Sequence, residues 1–232
     1  MKQLTNDISW LLGQGFDSNV FIIESDNDSI MIDTGAGKKL SQSMNLGSQG
    51  FDQFKRVIHD KKITNIVLTH GHIDHIGGLM TIQNEINCAV FASKRESKHL
   101  ISGDRSFISP IMNSPCDPIN ISKKIVEGDR ISVGKYSFRI LETPGHTEGS
   151  ISLYDEENSI LISGDTVFPQ GSFGRTDLST GSSSALLKSL KRLSELKIQI
   201  FLPGHMPPIV SPTSISSIKD SYRNAKMMLS YY

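Results

Sequence analysis

Four apolar runs, each typical of a buried β-strand, end in a turn that holds a glycine together with a histidine or an aspartate. The runs are NIVLTHGH, FRILETPGH, SILISGD and QIFLPGH, and the side chains they reach are His70, His72, His146, Asp165 and His205. Glycine permits tight turns and lets a backbone approach an ion closely. Because strand ends within one sheet layer meet at one edge, we expect these side chains to converge there.

The segment THGHIDHIGG, residues 69–78, concentrates metal-ligand side chains in a few positions. Alternate residues of an extended chain point the same way, so a turn near Gly71 must direct the four side chains toward two centres. Clustered histidines and carboxylates are typical of metal sites, whereas an isolated histidine is more often structural. The segment therefore favours two metal ions over one, and its candidate ligands are His70, His72, Asp74 and His75.

Two ions predict a division of the seven candidate ligands. One site takes His70, His72 and His146, the other takes Asp74, His75 and His205, and Asp165 bridges the two ions. Nitrogen-rich ligand sets with carboxylates suit zinc, and iron or manganese accept the same set. We therefore expect two divalent metal ions, with zinc favoured.

Two cations that share a water lower its pKa from about 15.7 to about 7, which supplies hydroxide at neutral pH. Asp74 and Asp165 can orient that hydroxide and accept its proton. These two aspartates are therefore the predicted catalytic residues.

Composition excludes several classes of partner. The 232-residue chain has 24 Lys and Arg against 24 Asp and Glu, so it has no net basic field for a nucleic acid. The N-terminus lacks an apolar signal core, and no run approaches the ~20 apolar residues of a membrane span. Cys88 and Cys116 are too few for a disulfide framework. We expect a soluble, cytoplasmic protein with a small-molecule substrate, and the sequence leaves its oligomeric state open.

Apolar periodicity predicts an alternation of strands and helices. Paired apolar runs around short polar turns predict hairpins over 19–35, 130–142 and 150–163. Further strands are predicted over 63–69, 88–93 and 199–205. Helices are predicted over 38–61, 77–86, 183–197 and 214–229, the third with Ser182 or Ser183 as its N-cap.

The motifs THGHIDHIGG, TPGHTEGS at 143–150, GDTVF at 164–168 and PGH at 203–205 resemble those of the metallo-β-lactamase superfamily. The resemblance implies an α/β fold, a four-layer αββα sandwich with a dinuclear site at one edge of the sheets. The division of ligands given above agrees with the family pattern. Within the family, residues 164–178 are similar to the glyoxalase II branch and its single-domain relatives. We therefore expect a single domain over 1–232, including the helix 214–229.

The resemblance implies a metal-dependent hydrolase that uses hydroxide between two metals on a small ester or thioester, without a serine or cysteine nucleophile. Only 27 residues follow His205, too few for the helical domain that binds glutathione in glyoxalase II. An iron-dependent persulfide dioxygenase is one alternative, and a lactonase, β-lactamase or phosphodiesterase with the same ligands is another. A purely structural site is disfavoured, because structural zinc is closed by four ligands.

Several residues near these motifs allow two interpretations. Asp33 in IDTG resembles an aspartate that supports the site in the family, or it forms an ordinary Asx turn. Arg175 pairs with Asp177 to brace its loop, or it meets a substrate carboxylate. Phe168 and Phe173 either line the pocket or belong to the core.

Two histidines and one long segment lie outside the predicted ligand set. We interpret His59 as a residue at a helix C-terminus and His99 as a solvated residue of a lysine-rich helix. Residues 94–120 are rich in Ser, Pro and Asn, which favours a long surface loop with a short helix near Lys94 to Ile101. Long loops are often functional, so we expect this one to contribute to substrate specificity.

Overall fold

The computed structural model describes residues 1–13, 17–26, 28–37, 60–82, 87–110 and 116–229. Within these ranges the strands form two sheets. The first sheet has seven strands in sequence order, antiparallel from β1 to β4 and parallel from β4 to β7. Its strands are β1 Lys2–Gln3, β2 Ile8–Leu11, β3 Val20–Glu24, β4 Ser29–Ile32, β5 Ile63–Val67, β6 Ala89–Ser93 and β7 Lys123–Ile125.

The second sheet has six strands in the order β13-β12-β11-β10-β9-β8. All neighbours are antiparallel except β11 and β12, which run parallel. The strands are β8 Arg130–Val133, β9 Tyr136–Glu142, β10 Ile151–Asp155, β11 Ile160–Gly164, β12 Ile200–Pro203 and β13 Ile209–Val210. The predicted hairpins appear as the pairs β3 with β4, β8 with β9, and β10 with β11, so all three predictions are confirmed.

Helices cover the outer faces of the sheets. They are α1 Ile73–Ile76, α2 Leu79–Ile82, α3 Glu96–Ser102, α4 Arg105–Ile108, α5 Ser183–Ser194 and α6 Ser214–Leu229. None of the helices in the described ranges has the length and apolar character that a membrane span needs.

Side-chain alternation along the strands builds three apolar layers. In β3, Phe21 and Ile23 pack between the two sheets, while Val20 and Ile22 face the helices α1 to α4. On the far side of the second sheet, a third apolar layer lies beneath α5 and α6. The order of layers is helix, sheet, sheet, helix, which confirms the predicted αββα sandwich.

The two C-terminal helices follow the sequence pattern closely. Ser182 caps α5 by accepting a 3.3 Å hydrogen bond from the Ala185 N–H, as predicted. Leu186, Leu190 and Leu193 form the buried stripe of this helix. The predicted helix 214–229 is α6, which packs beside α5 in the third apolar layer.

The prediction for residues 94–120 was only partly correct. The short helix is confirmed as α3, but a second helix, α4, follows it, and Leu100, Phe107 and Ile108 are fully buried against the first sheet. The described residues of this segment, 94–110 and 116–120, therefore contribute to the core layer, which the prediction of a surface loop did not anticipate. These few buried apolar residues were not predicted, because the high Ser, Pro and Asn content of the segment is typical of a surface loop.

Other differences concern short elements and residues outside the described ranges. Four short strands were not predicted, because strands of two to four residues carry too little pattern to detect; they are β1, β2, β7 and β13. The predicted helix 38–61 lies almost wholly outside the described residues, as do His59 and the end of the helix predicted over 77–86.

Candidate metal centre

The carboxyl ends of four strands supply the candidate ligands. The chain leaves β5 at Val67 and enters the turn that carries His70 and His72, and α1 then carries Asp74 and His75. In the second sheet, β9, β11 and β12 run in one direction, and the residues that follow them are His146, Asp165 and His205. Strands of both sheets therefore direct their ligands to one edge of the sandwich.

The seven predicted side chains meet there in two groups. One group is His70, His72 and His146, and the other is Asp74, His75, Asp165 and His205. Within each group the ligand atoms lie within 4.8 Å of one another. This is the arrangement that the division of ligands between two ions requires.

The first group consists of buried histidines whose rings face one another. The Nδ1 atom of His72 lies 2.9 Å from Nε2 of His146, and the His70 ring centroid lies 4.8 Å from each of the other two. Burial, and after it the neighbouring His146, lower the pKa of His72 to about 3. Burial and the adjacent histidines also lower the pKa of His70. These two rings are therefore neutral, which is the form that binds a metal ion.

The second group combines histidines with carboxylates. The Nε2 atom of His205 lies 3.2 Å from Asp74 Oδ2, and Nε2 of His75 lies 3.2 Å from Asp165 Oδ1. Burial lowers the pKa of His205, but Asp165 and Asp74 outweigh it and raise that pKa to about 10. In the metal-free protein, His205 is therefore protonated, because Asp165 and Asp74 favour a positive charge beside them.

Asp165 lies between the two groups. Its Oδ2 atom is 3.6 Å from Nε2 of His146 in the first group and 3.4 Å from Nε2 of His205 in the second. Burial raises the pKa of Asp165, but His205 and His75 outweigh it and hold the pKa well below its usual range. The side chain is thus a carboxylate within reach of both groups, as a bridging ligand must be.

Unsatisfied polar atoms show that the cluster fits metal ions. Among the described residues, the Nε2 atoms of His70 and His75 and the Oδ1 atom of Asp165 are buried and make no hydrogen bond. Buried polar atoms without a partner are costly in a folded protein. A Cβ atom on Gly204 would lie 2.2 Å from Asp165 Oδ1, so only glycine leaves room for that carboxylate. The nitrogen and oxygen donors together suit two divalent cations.

Asp33 supports the second group from behind. Its carboxylate accepts hydrogen bonds from the Thr69 N–H at 2.8 Å, from the Thr69 hydroxyl at 2.7 Å and from Nδ1 of His75 at 2.8 Å. The proton on Nδ1 leaves Nε2 of His75 free to face the other ligands. Of the two interpretations of Asp33, the structure therefore supports the site-supporting role and not a local Asx turn.

The loop after Asp165 is braced as predicted and adds a contact that the sequence did not reveal. Arg175 donates to both carboxylate oxygens of Asp177, at 2.7 and 2.6 Å. The backbone carbonyl of Arg175 also accepts a 2.8 Å hydrogen bond from Nδ1 of His146. This bond fixes the His146 ring so that Nε2 faces the first group.

Aromatic residues flank both groups. Phe168 is half-buried, with its ring centroid 5.8 Å from that of His205, so it borders the candidate site. Phe173 packs against the apolar layer beneath α5 and α6, which makes it a core residue. On the other side, the buried Phe107 lies 5.7 Å from the His72 ring. Phe107 was missed because it lies in the segment interpreted as a surface loop.

The prediction that His99 is solvated was wrong. Its Nδ1 atom is 2.8 Å from Asp104 Oδ2, its Nε2 atom is 3.2 Å from Glu148 Oε1, and its ring stacks on Phe107 at 4.0 Å. The side chain is only 20% exposed. The polar residues that surround His99 gave no sign that one face of α3 packs against the loop after His146.

Two acidic residues near the site had no recognisable pattern in the sequence. Asp17 accepts a 2.6 Å hydrogen bond from the Ala36 N–H, and burial together with the nearby Asp74 raises its pKa to about 6. Glu96, at the start of α3, is fully buried. Both reach the site region through contacts between residues far apart in the chain.

Comparison with known proteins places this geometry in a family. The family profile described as the Metallo-beta-lactamase superfamily matches residues 13–205, a range that includes all seven candidate ligands. The chain belongs to the metallo-beta-lactamase superfamily. The resemblance inferred from the motifs is therefore confirmed.

Relatives in the superfamily include hydrolases. A probable metallo-hydrolase of Methanocaldococcus jannaschii is 34% identical over 84% of this chain and 90% of its own length. A hydroxyacylglutathione hydrolase of Rhodospirillum rubrum is 35% identical over 62% of this chain and 48% of its own length. The B3 metallo-beta-lactamase BLEG-1 has a similar structure, with a TM-score of 0.70 and 25% identity over 89% of this chain and 95% of that chain.

Proposed function

We propose that this metallo-beta-lactamase superfamily member is a hydrolase of small thioesters or esters that depends on two divalent metal ions. The observation that supports this most directly is the pair of adjoining ligand groups with the Asp165 carboxylate between them. Zinc is the favoured metal, and iron and manganese suit the same donors. The relationship to metallo-hydrolases supports the reaction class.

Bound divalent ions at such a site would lower the pKa of a water and polarise the carbonyl of the substrate. The protein itself supplies two carboxylates, Asp74 and Asp165, beside the place where that water would lie. Burial raises the pKa of Asp74, but His75 and His205 outweigh it, so the side chain is a carboxylate that can orient a water and accept its proton. Asp165 shares this role from its position between the two groups. We therefore retain Asp74 and Asp165 as the proposed catalytic residues.

The exposure of the ligands indicates where a substrate approaches. The side chains of Asp74 and His205 are each 24% exposed, whereas that of Asp165 is 8% exposed. Phe168 borders His205 on this more open side. We propose that the acyl group of the substrate packs against Phe168 while its carbonyl reaches the metal centre.

A thioester fits the site because a thiolate is a good leaving group and can itself coordinate a metal ion. The relationship to a hydroxyacylglutathione hydrolase supports this substrate class. The present chain aligns with 48% of the length of that enzyme. The thiol part of the thioester substrate must therefore be identified by experiment. Cys88 packs against the outer layer of the first sheet, away from the candidate ligands, so it is not proposed as a nucleophile.

The second ligand group distinguishes this proposal from a persulfide dioxygenase, which uses a single iron. Asp74, His75 and His205 form a complete set together with Asp165, which favours two ions. Metal analysis separates the two functions. Two ions per chain with thioester hydrolysis support the proposal, whereas one iron with oxygen uptake contradicts it.

The domain organisation, location and partners of the enzyme are also proposed from the sequence. We propose a single domain over residues 1–232 in the cytoplasm, with a small-molecule substrate and no nucleic-acid partner. The balance of 24 basic and 24 acidic residues supports the last point. The chain has two cysteines, too few for a disulfide framework, which suits a reducing compartment.

The test combines metal quantification with a substrate panel of thioesters, lactones and phosphodiesters, each assayed with the metal removed and restored. Substituting His72 or Asp165 by Ala should abolish hydrolysis and reduce the metal content. Asp155→Ala is the matched control, because Asp155 is also a buried aspartate but lies at the end of β10 distant from the site. Full hydrolysis by the metal-free protein would contradict the mechanism.

A further inference from the structure

We propose that Glu96 is a positioning residue that holds the three-histidine group in shape. It connects the turn between His70 and His72 to the loop that follows His146. This inference rests on the proposed metal centre, since it concerns how one half of that centre is held in place.

The Glu96 side chain is fully buried at the start of α3. Its Oε1 atom accepts a 2.7 Å hydrogen bond from the Thr147 hydroxyl and a 3.0 Å hydrogen bond from the Gly149 N–H. Thr147 directly follows His146 in the chain, so the carboxylate fixes the start of this loop. One oxygen of Glu96 thus binds the segment that carries His146.

The other oxygen faces the turn between the first two histidines. Oε2 lies against Gly71, where a Cβ atom would be only 2.8 Å from it, and it lacks the geometry of a full hydrogen bond. Phe107 closes the same space, at 2.7 Å from such a Cβ atom. Gly71 is therefore packed between a carboxylate and a ring, which leaves the turn little freedom.

Ser93 and His99, which lie close to Glu96 in the chain, also contact the loop after His146. The Ser93 hydroxyl donates a 2.7 Å hydrogen bond to the Gly149 carbonyl, and His99 contacts Glu148 at 3.2 Å. The loop after His146 is therefore held at three consecutive residues. The Arg175 carbonyl also holds the ring of His146, through its hydrogen bond from Nδ1. Glu96 lies at the centre of this set and is the member that also reaches Gly71.

Burying a carboxylate has a desolvation cost, so packing alone does not explain why Glu96 is in this position. Burial raises the pKa of Glu96 to about 7, against the opposing effects of the Thr147 hydroxyl and the nearby N–H of Gly71. Among the described residues Glu96 has no ion-pair partner, and a buried carboxylate of that kind costs free energy that an apolar side chain of similar size does not. The contacts on both sides of the three-histidine group give this residue a role that an apolar side chain cannot fill.

The test uses Glu96→Ala and Glu96→Gln in the full chain, with Asp155→Asn as a matched buried-carboxylate control. Loss of a residue that orients metal ligands typically weakens metal binding ten- to a hundredfold. We expect Glu96→Ala to weaken one of the two Co²⁺ equivalents by that factor and to change its visible spectrum. Glu96→Gln should stay within about threefold of wild type, because its carbonyl oxygen can accept the same two hydrogen bonds. Asp155→Asn should retain both equivalents.

Two equivalents bound with wild-type affinity and spectrum in Glu96→Ala would overturn this inference and leave the metal centre itself intact. If Glu96→Ala does not fold, Glu96→Asp carries the test, because it keeps the charge but is one methylene too short to contact both segments. Glu96→Asp should then show the same selective loss of one equivalent, and unchanged Co²⁺ binding would overturn the inference. A wild-type protein that binds no metal would overturn the proposed function as well.

Discussion

Replacing Asp33 by Asn should impair the second metal site without removing any metal ligand. Asn keeps one oxygen for the Thr69 N–H but places an NH₂ group where Oδ2 now accepts from His75. Two donors would then face each other. The His75 ring can relieve this conflict by moving its proton from Nδ1 to Nε2, which is the nitrogen that faces Asp165. The imidazole would then present a proton where a metal ion must bind.

The size of the effect follows from these contacts. A changed partner of a metal-binding histidine typically costs ten- to a hundredfold in affinity, which corresponds to about 1.4 to 2.7 kcal/mol. The new NH₂ group can donate to the rotated Thr69 hydroxyl and, after the proton shift, to Nδ1 of His75, so a neutral hydrogen bond replaces the charge-assisted one from His75 to Asp33. The metal-free protein should therefore lose about 1 kcal/mol of unfolding free energy.

Chelator competition with Zn²⁺ measures both affinities in the variant, and urea unfolding of the metal-free protein measures its stability. We expect one equivalent to bind as in wild type and the other to bind ten- to a hundredfold more weakly. Asp155→Asn is the control for replacing a buried aspartate away from the site. Wild-type affinity for both equivalents in Asp33→Asn would show that Asp33 does not set the His75 tautomer.

Three further predictions concern separate parts of the site. Because burial raises the pKa of Glu96 from 4.5 to about 7, the contribution of Glu96 to folding stability is most favourable below pH 4.5 and is lost as the pH rises to 7. Urea unfolding of the metal-free proteins should show that wild type loses about 3 kcal/mol relative to Glu96→Gln across that range. Gly204→Ala places a Cβ atom 2.2 Å from Asp165 Oδ1, so metal analysis should show a reduced metal content with activity at least ~100-fold lower. Phe168→Ala should raise KM about tenfold with unchanged metal content, and Ser221→Ala should have a smaller effect of the same sign, because the Ser221 hydroxyl donates a 3.0 Å hydrogen bond to the Phe168 carbonyl.

The features that sequence analysis predicted well are encoded locally. Each candidate ligand belongs to a short motif that begins where an apolar strand ends, so the strand and the ligand are visible in one short window. The helix α6 and the stripe of Leu186, Leu190 and Leu193 in α5 follow from amphipathic spacing in the same way. The fold class could then be inferred from the motifs, since their spacing resembles one family.

The features that were missed depend on contacts between distant segments. The bond from His146 to the Arg175 carbonyl involves a backbone atom, which leaves no trace in residue type. Glu96 and His99 lie in a polar helix, and composition does not reveal that one face of it packs against the loop after His146. Phe107 is a single apolar residue in a Ser- and Pro-rich stretch. In each case, tertiary packing determines the role.

The most direct test is a titration of the metal-free protein with Zn²⁺, in which thioester hydrolysis is measured at each metal-to-protein ratio. We predict that activity is absent without metal and reaches its maximum at two equivalents per chain. In Asp74→Ala, which lacks a candidate ligand of the second group, that maximum should not be reached. Full hydrolysis without metal, or a maximum reached at one equivalent in both proteins, would contradict a hydrolytic centre built on two metal ions.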